Sequence, residues 1–336
     1  MKKYAIVLDI GATWIRIAIG TEEGNFLRRK KKRTRKVGKN GKIVTSQVLD
    51  LISSMIEKID QKSVEGIGIA SIGPLDLKRG NIVNPANLPF KCIPLRKPIE
   101  DEFNLPVYLL NDGSAGALGE KVYGIGKKID NLVYITFSTG IGGGAFVDGN
   151  LLLGKDGNAV EIGHMVICPE KKLKCGCGKY SHWEAFSGGA NLLNFIKFYL
   201  KENKSVKLEN SLLFKLAKGK IDNISPKILF NAGKIGDKLS LEIIDEIGKI
   251  NAIGIANIVA AFAPDLIIIG GSIALNNPQL ILRPIKKYLR DYVLGQPPKI
   301  KITSLGEDIG LYGALAMIFK KANYPTPKNK ASPVSS

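Results

Sequence analysis

The stretch whose reading decides the fold is residues 4–33, YAIVLDIGATWIRIAIGTEEGNFLRRKKKR. Runs at 4–8, 14–19 and 26–33 have strand composition, and Gly11-Ala12 and Gly24-Asn25 punctuate them as turns, so three consecutive strands are expected. Downstream, Val48, Leu51, Ile52, Met55, Ile56 and Ile59 recur at helical spacing within 44–59. Buried strands follow at 64–70 and 107–110, with a loop-rich segment at 73–98 between them. Beyond Asp112 the pattern restarts with a strand at 132–137, a glycine turn and a strand at 144–147. The order strand, strand, strand, helix, strand therefore begins twice, as a structural echo without an alignable sequence repeat. Helices are expected at 184–200 and 238–262, a strand at 266–269 ending in Gly270-Gly271, and a closing helix at 311–321; the tail 324–336 reads as disordered.

A chain of 336 residues exceeds the size at which single cores stop growing, and 45% hydrophobic with 24% charged residues supports a proper core, so two α/β lobes are expected. Four cysteines make no disulfide framework, which points to a reducing cytoplasm. Met1-Lys2-Lys3 leads into only five apolar residues before Asp9, unlike a signal peptide. The longest apolar stretch, 253–269, is interrupted by Asn257 and Pro264-Asp265, and no membrane span is expected. Net charge is +19, and residues 28–36, RRKKKRTRK, hold eight of the positive charges. Following the turn signal at 23–25, the run reads as a solvated strand whose charge resists edge-to-edge pairing, with an anionic donor or polymer as the functional alternative and nucleic acid behind it.

Three glycine turns suit phosphate. Asp9-Ile-Gly-Ala-Thr13 joins two strands, Ser138-Thr-Gly-Ile-Gly-Gly-Gly144 joins two more, and Gly270-Gly271-Ser272 stands between a buried strand and a helix. Each taken singly is also ordinary turn chemistry, and none has the spacing of a Walker loop or of GxGxxG after a strand. Asp112, in LLNDGSAG (109–116), stands where an apolar strand ends and a small-residue helix starts. It reads as a base for a substrate hydroxyl or as the N-cap of a helix beginning near Gly113. One acid with two phosphate-type turns favours phosphoryl transfer.

The segment 161–184, EIGHMVICPEKKLKCGCGKYSHWE, holds both histidines and three of the four cysteines. His164, Cys175, Cys177 and His182 are the ligand types that Zn²⁺ prefers, and a closed structural zinc would turn Glu161, His164 and Glu184 toward a polyhydroxylated ligand. The bland reading is a set of small core cysteines and surface histidines.

DIGATWIRIAIG (9–20), LLNDGSAGALGE (109–120), ITFSTGIGGG (135–144), EIGH with CGCGKYSHWE, and PDLIIIGGS (264–272) together resemble the ROK family of sugar kinases and repressors across about 4–321. The loop ASIGPLDLKRGNIVNPANLPF (70–90) is similar to that of its archaeal broad-specificity glucokinases or hexokinases. The resemblance implies a two-lobed actin-like and hexokinase-like fold with an interlobe cleft, usually dimeric, as a homodimer or a dimer of dimers. It implies an N-terminal lobe of 1–112 joined by a closing helix at about 309–323, and a C-terminal lobe of 113–308. It implies ATP and Mg²⁺, with Asp9, Gly11, Ala12 and Thr13 as the first phosphate turn, Ser138, Thr139, Gly140, Gly142 and Gly143 in the second, and Gly270 and Gly271 along the adenosine. Asn111 would bind sugar hydroxyls, Asp112 would take the proton, and Asn87, Glu161, His164 and Glu184 would complete the sugar contacts. His182 stands where the family has a third cysteine, with Cys168 as reserve ligand, Ala12 replaces a glycine, and Trp14 replaces a smaller or polar residue. The function implied is ATP-dependent phosphorylation of the 6-hydroxyl of glucose and related hexoses. An N-acetylhexosamine kinase, a polyphosphate-using kinase, and a sugar-responsive repressor lacking its DNA-binding domain are the alternatives; a first strand starting at residue 4 leaves no room for a preceding helix-turn-helix.

Overall fold

The structure, a computed structural model, describes residues 2–57, 59–203 and 207–320. In chain order its strands are β1 (Tyr4–Ile10), β2 (Trp14–Thr21), β3 (Phe26–Arg33), β4 (Val64–Ser71), β5 (Leu75–Asp76), β6 (Asn81–Val83), β7 (Cys92–Pro94), β8 (Val107–Asn111), β9 (Leu132–Phe137), β10 (Ile141–Val147), β11 (Asn150–Leu151), β12 (Leu266–Gly270) and β13 (Lys299–Ile302). The helices are α1 (Lys42–Ile56), α2 (Arg96–Phe103), α3 (Asp112–Val122), α4 (Trp183–Ser187), α5 (Leu192–Glu202), α6 (Leu212–Leu216), α7 (Pro226–Lys234), α8 (Lys238–Phe262), α9 (Ser272–Asn276), α10 (Pro278–Leu289) and α11 (Ile309–Phe319). Among the described residues no helix is long and apolar enough to cross a membrane.

Two compact units divide the chain. Unit one runs to Lys128 and adds Gly149–Ala159 and the chain from Asp308; unit two is Ile129–Asp148 with Val160–Glu307. In unit one the sheet order is β3-β2-β1-β4-β8, antiparallel across the three opening strands and parallel across β1, β4 and β8. Strand alternation sends Ile15, Ile17 and Ile19 into the cluster that holds Val44, Val48 and Ile52 of α1. The opposite face is covered by α11, which packs so closely on α3 that a Cβ on Gly313 would lie 2.0 Å from the Ala115 carbonyl oxygen. That packing makes α3 part of unit one, so the division falls at Lys128 and not at the expected 112.

In unit two β10-β9-β12-β13 repeats the theme of an antiparallel hairpin followed by parallel strands. The helix α8 has the expected bounds and is started by Asp237, whose carboxylate accepts from the Ser240 amide. Several expectations change in detail. The glycines 142–144 are strand residues paired with Thr136, Ile135 and Tyr134, so the turn itself is only Ser138–Thr139–Gly140. The helix expected at 184–200 is two helices, because Gly188 and Gly189 break it: the Gly189 and Ala190 amides donate to the Ser138 and Thr139 carbonyls. The segment 73–98 is not bare loop but carries the small sheet β5-β6-β7. The tail 324–336 and the end of the expected closing helix lie outside the described residues.

Candidate active site and metal centre

In unit one the turn between β1 and β2 is held from three sides. The Gly11 amide donates to the Trp14 carbonyl at 2.9 Å, Thr34 Oγ1 donates to the Gly11 carbonyl at 2.7 Å, and the Thr34 amide donates to the Thr13 carbonyl at 3.0 Å. Thr34 is the uncharged residue of the basic run, and its role as the buried lock of this turn was not legible in the sequence. Asp9 ends in an ion pair with Arg16 at 3.0 Å. Burial pushes its carboxyl above the usual range, and Arg16 pulls it back. Trp14 stacks under two cations: Lys31 Nζ and Arg33 Cζ each lie 5.0 Å from the centre of its ring.

Asn111 and Asp112 sit at the carboxyl end of a parallel strand and the start of α3. The helix cap is Asn111, whose Oδ1 accepts from the Gly113 amide at 2.9 Å, so Asp112 is the first helical residue and not the cap. Asp112 Oδ1 also accepts from the Gly113 amide at 2.9 Å, at the start of α3. With its oxygen engaged by the cap, the remaining hydrogen-bonding group of the Asn111 side chain is its amide NH₂. Asn87 lies exposed in the turn 85–88 of the same unit. Asn158 clasps the Leu75 backbone at both ends, accepting at 2.8 Å and donating at 2.7 Å, and so secures the loop that follows β4.

In unit two Ser138 and Thr139 edge a cavity of about 710 Å³, the size of a nucleotide-class pocket. Gly189, Ser225, Lys227, Asn231, Lys234 and Asn276 also line it, along with Ser272 just beyond the double glycine. Gly271 has φ +86°, and a Cβ there would lie 2.4 Å from the Phe137 carbonyl oxygen, so only glycine lets the chain pass β9 into α9. Gly270 is required by packing alone, since its Cβ would meet the Tyr134 hydroxyl at 2.4 Å. The lysines and asparagines from α7 and α9 had no motif to announce them.

The 161–184 segment closes on itself through backbone bridges, Val166 with His182 and Lys174 with Tyr180. The Gly178 amide donates to the Cys175 carbonyl across a turn with φ +89° at Gly178. As a result one atom from each of His164, Cys175, Cys177 and His182 lies within 4.8 Å of the others. His164 Nδ1 is 3.2 Å and Cys177 Sγ 3.3 Å from His182 Nδ1. A tetrahedral zinc with bonds of about 2.0–2.3 Å has ligand edges of roughly 3.3–3.8 Å; the two short contacts match it, the 4.8 Å spread would have to close by about 1 Å, and the Cys₂His₂ donors are of the type Zn²⁺ takes. The gathered set includes His182 and leaves out the reserve ligand Cys168. Burial pushes the Cys175 thiol up to about 12, so a nearby cation is what would make it a thiolate. Desolvation, then the charge of His164, holds the His182 imidazole below its usual value, in the neutral form that ligates. His164 turns Nδ1 into the cluster and keeps Nε2 4.0 Å from Glu161.

Trp183 anchors this segment. It is fully buried, donates to Asn251 Oδ1 at 2.8 Å and lies where a Cβ on Gly254 would be 2.5 Å away. The next residue, Glu184, accepts from the Ile141 amide at 2.9 Å, and a Cβ on Gly140 would come within 2.2 Å of its carboxylate. The His/Cys cluster and the β9–β10 turn are thus joined through Glu184, which also lies 3.7 Å from Cys175 Sγ. Of the residues singled out in the sequence, unit one brings together Asp9, Gly11, Ala12 and Thr13, and separately Asn111 with Asp112. Unit two brings together Ser138, Thr139 and Gly140 with Glu184, and Glu161 and His164 with the cysteines.

The sequence model of the ROK family matches residues 5–321. The glucokinase of Pyrobaculum calidifontis is 37% identical over 320 residues, covering 95% of this chain and 96% of that protein. The xylose repressor of Caldicellulosiruptor bescii is 30% identical, covering 93% of this chain and 77% of that protein. The crystal structure of a ROK family glucokinase from Streptomyces griseus in complex with glucose and AMPPNP superposes with a TM-score of 0.78 at 30% identity, covering 94% of this chain and 99% of that one.

Proposed function

The chain belongs to the ROK family, and from that premise we propose that it is an ATP-dependent kinase of the 6-hydroxyl of glucose, with other hexoses as further acceptors. The observation that carries the reading is Asp112: a carboxylate at a strand's carboxyl end whose capping role is filled by Asn111. In the reaction the 6-hydroxyl proton passes to the Asp112 carboxylate as the sugar oxygen bonds the γ-phosphorus and ADP departs. In unit one Asn87, Asn111 and Asp112 would be the candidates for sugar hydroxyls, and in unit two Glu161, His164 and Glu184 would be. Ala12 and Thr13 would offer backbone amides and a hydroxyl to the phosphates on the turn that Gly11 shapes, and Ser138, Thr139 and Gly140 would form the second phosphate turn, with Gly142 and Gly143 in the strand behind it. Gly270 and Gly271 would carry the adenosine beside the 710 Å³ cavity, where Lys227 and Lys234 add positive charge. Mg²⁺, held by the donor phosphates with Asp9, would neutralise charge on the transferring group. Zn²⁺ on His164, Cys175, Cys177 and His182 would be structural, fixing Glu184 and through it the second turn.

Four unpaired cysteines fit work in a reducing cytoplasm, and the assembly expected is a homodimer or a dimer of dimers, which light scattering measures. The reading is tested by coupled detection of glucose 6-phosphate from glucose and ATP, beside N-acetylglucosamine and N-acetylmannosamine. Turnover of glucose is the expected result. Turnover of the N-acetylhexosamines alone would replace glucose with that substrate class, and turnover of none would remove the kinase reading.

A further inference from the structure

The kinase reading leaves the basic strand unexplained, and its geometry goes beyond a solvated edge. All six residues 28–33 are cationic and exposed, and β3 is the sheet's outer strand. Alternation divides them into two sets. Arg28, Lys30 and Lys32 share the face of α1, where Lys30 donates to Ser54 Oγ at 2.8 Å. Arg29, Lys31 and Arg33 stand opposite Ala18, Arg16 and Trp14, on the face that carries Asp9. On this second face Trp14 holds Lys31 and Arg33 side by side over one ring. Same-face neighbours on a strand repeat at about 6.7 Å, so the two charges form a short row rather than a diffuse patch. The row runs directly into Thr34, which donates to both Gly11 and Thr13 of the first phosphate turn. At its other end Arg29 is taken by Asp308 at 2.5 Å. Protection against edge pairing requires charge but neither an aromatic ring that orders it nor alignment with a phosphate turn.

We propose that Lys31 and Arg33, ordered on Trp14, extend the first phosphate turn into a track for linear inorganic polyphosphate, and that this chain uses polyphosphate as a second phosphoryl donor. This rests on the kinase reading. Charge complementarity selects a polyanion. Single-stranded nucleic acid would need an aromatic face for its bases, and the face of Trp14 is occupied by the two cations. A row that ends at a phosphate turn delivers a chain terminus, and in polyphosphate that terminus is a transferable phosphoryl group. In the step, the terminal P–O–P bond breaks and its electron pair leaves with the chain shortened by one phosphate. The phosphorus bonds the sugar 6-oxygen, and the hydroxyl proton goes to Asp112.

The test compares glucose 6-phosphate formation from ATP and from long-chain polyphosphate by the purified full chain, at low and at physiological salt. Expected is transfer from both donors, with the polyphosphate rate falling more steeply with salt. The double variant Lys31→Ala/Arg33→Ala should lose roughly tenfold in kcat/KM for polyphosphate and stay within about twofold for ATP. The double variant Lys30→Ala/Lys32→Ala, on the other face, should stay within about twofold for both donors. Glucose phosphorylation from ATP with none from polyphosphate would overturn the proposal and leave the kinase reading standing. Equal losses in the two double variants would show a diffuse field and overturn the track. Single-stranded DNA displacing polyphosphate at equal affinity would overturn its selectivity. Absence of activity with either donor would overturn the kinase reading and this proposal with it.

Discussion

The two phosphate-type turns use the same small and hydroxylated residues, yet they are secured in different ways. The first, at the β1–β2 hairpin, is locked by a residue of the adjoining strand, Thr34, and by an ion pair seven residues apart, Asp9 with Arg16. The second, at the β9–β10 hairpin, is secured from afar: Glu184 accepts from the Ile141 amide across 43 residues, and Gly189 and Ala190 bond its carbonyls. Glu184 is itself placed by the buried Trp183 before it and by the His/Cys cluster beside it. A turn secured by its neighbours survives events elsewhere in the chain, whereas a turn secured by a remote segment inherits that segment's sensitivities.

The strongest way to calibrate this contrast is to remove the chemistry and leave both turns alone. Asp112→Asn should keep its melting temperature and its metal yet lose on the order of 10²-fold or more in kcat, the usual worth of a positioned base. Near wild-type turnover would make Asp112 a structural residue and leave the turns without a reaction to serve. Next comes the metal. Freshly purified protein should carry about one zinc per chain, and Cys177→Ser should lose it, with a lower melting temperature and on the order of tenfold weaker use of ATP. Zinc-free wild type of full activity would break the contrast outright.

The contact between Glu184 and the second turn can be strained directly. Gly140→Ala puts a methyl group where only 2.2 Å is available, so kcat/KM for ATP should drop by roughly tenfold while zinc content stays unchanged. Thr34→Val removes one hydroxyl hydrogen bond from the first turn, worth about 1 kcal/mol, and should lower kcat/KM for ATP by roughly fivefold at most. A larger loss from Thr34→Val than from Gly140→Ala would reverse the order. The smallest effect is reserved for His182→Cys, which keeps a ligand of a type zinc accepts: metal content should remain about one per chain, with activity within about twofold.

What the sequence made legible follows from how local each signal is. The strands β1 to β3 could be read because their turns and their composition lie within a few residues of one another, and α8 because its apolar spacing runs unbroken. The metal ligands could be read because all four fall within 19 residues. The 710 Å³ cavity could not, because Ser225, Asn231 and Lys234 belong to the start and body of α7 while Asn276 comes from α9, about 40 residues on, and each is an ordinary surface residue until the fold collects them. The exchange of roles between Asn111 and Asp112 was equally hidden. Both residue types cap helices and a side-chain oxygen of each reaches the Gly113 amide, and only the backbone decides which of the two adjacent positions stands outside the helix as its cap. The helix break at Gly188-Gly189 had its glycines in plain view, but the reason for it, two carbonyls of a hairpin some 50 residues earlier, is a tertiary one.

His182, Trp183 and Glu184 are consecutive, and each answers to a different master: a metal cluster, a packed interior and a glycine hairpin. Such a triplet constrains descent in an uneven way. The kind of atom offered at the first position can change, because zinc accepts an imidazole or a thiolate. The count of residues cannot, since inserting or deleting one would rotate all three side chains away from their partners at once. Among relatives, the length of this stretch should therefore be inherited more faithfully than its letters.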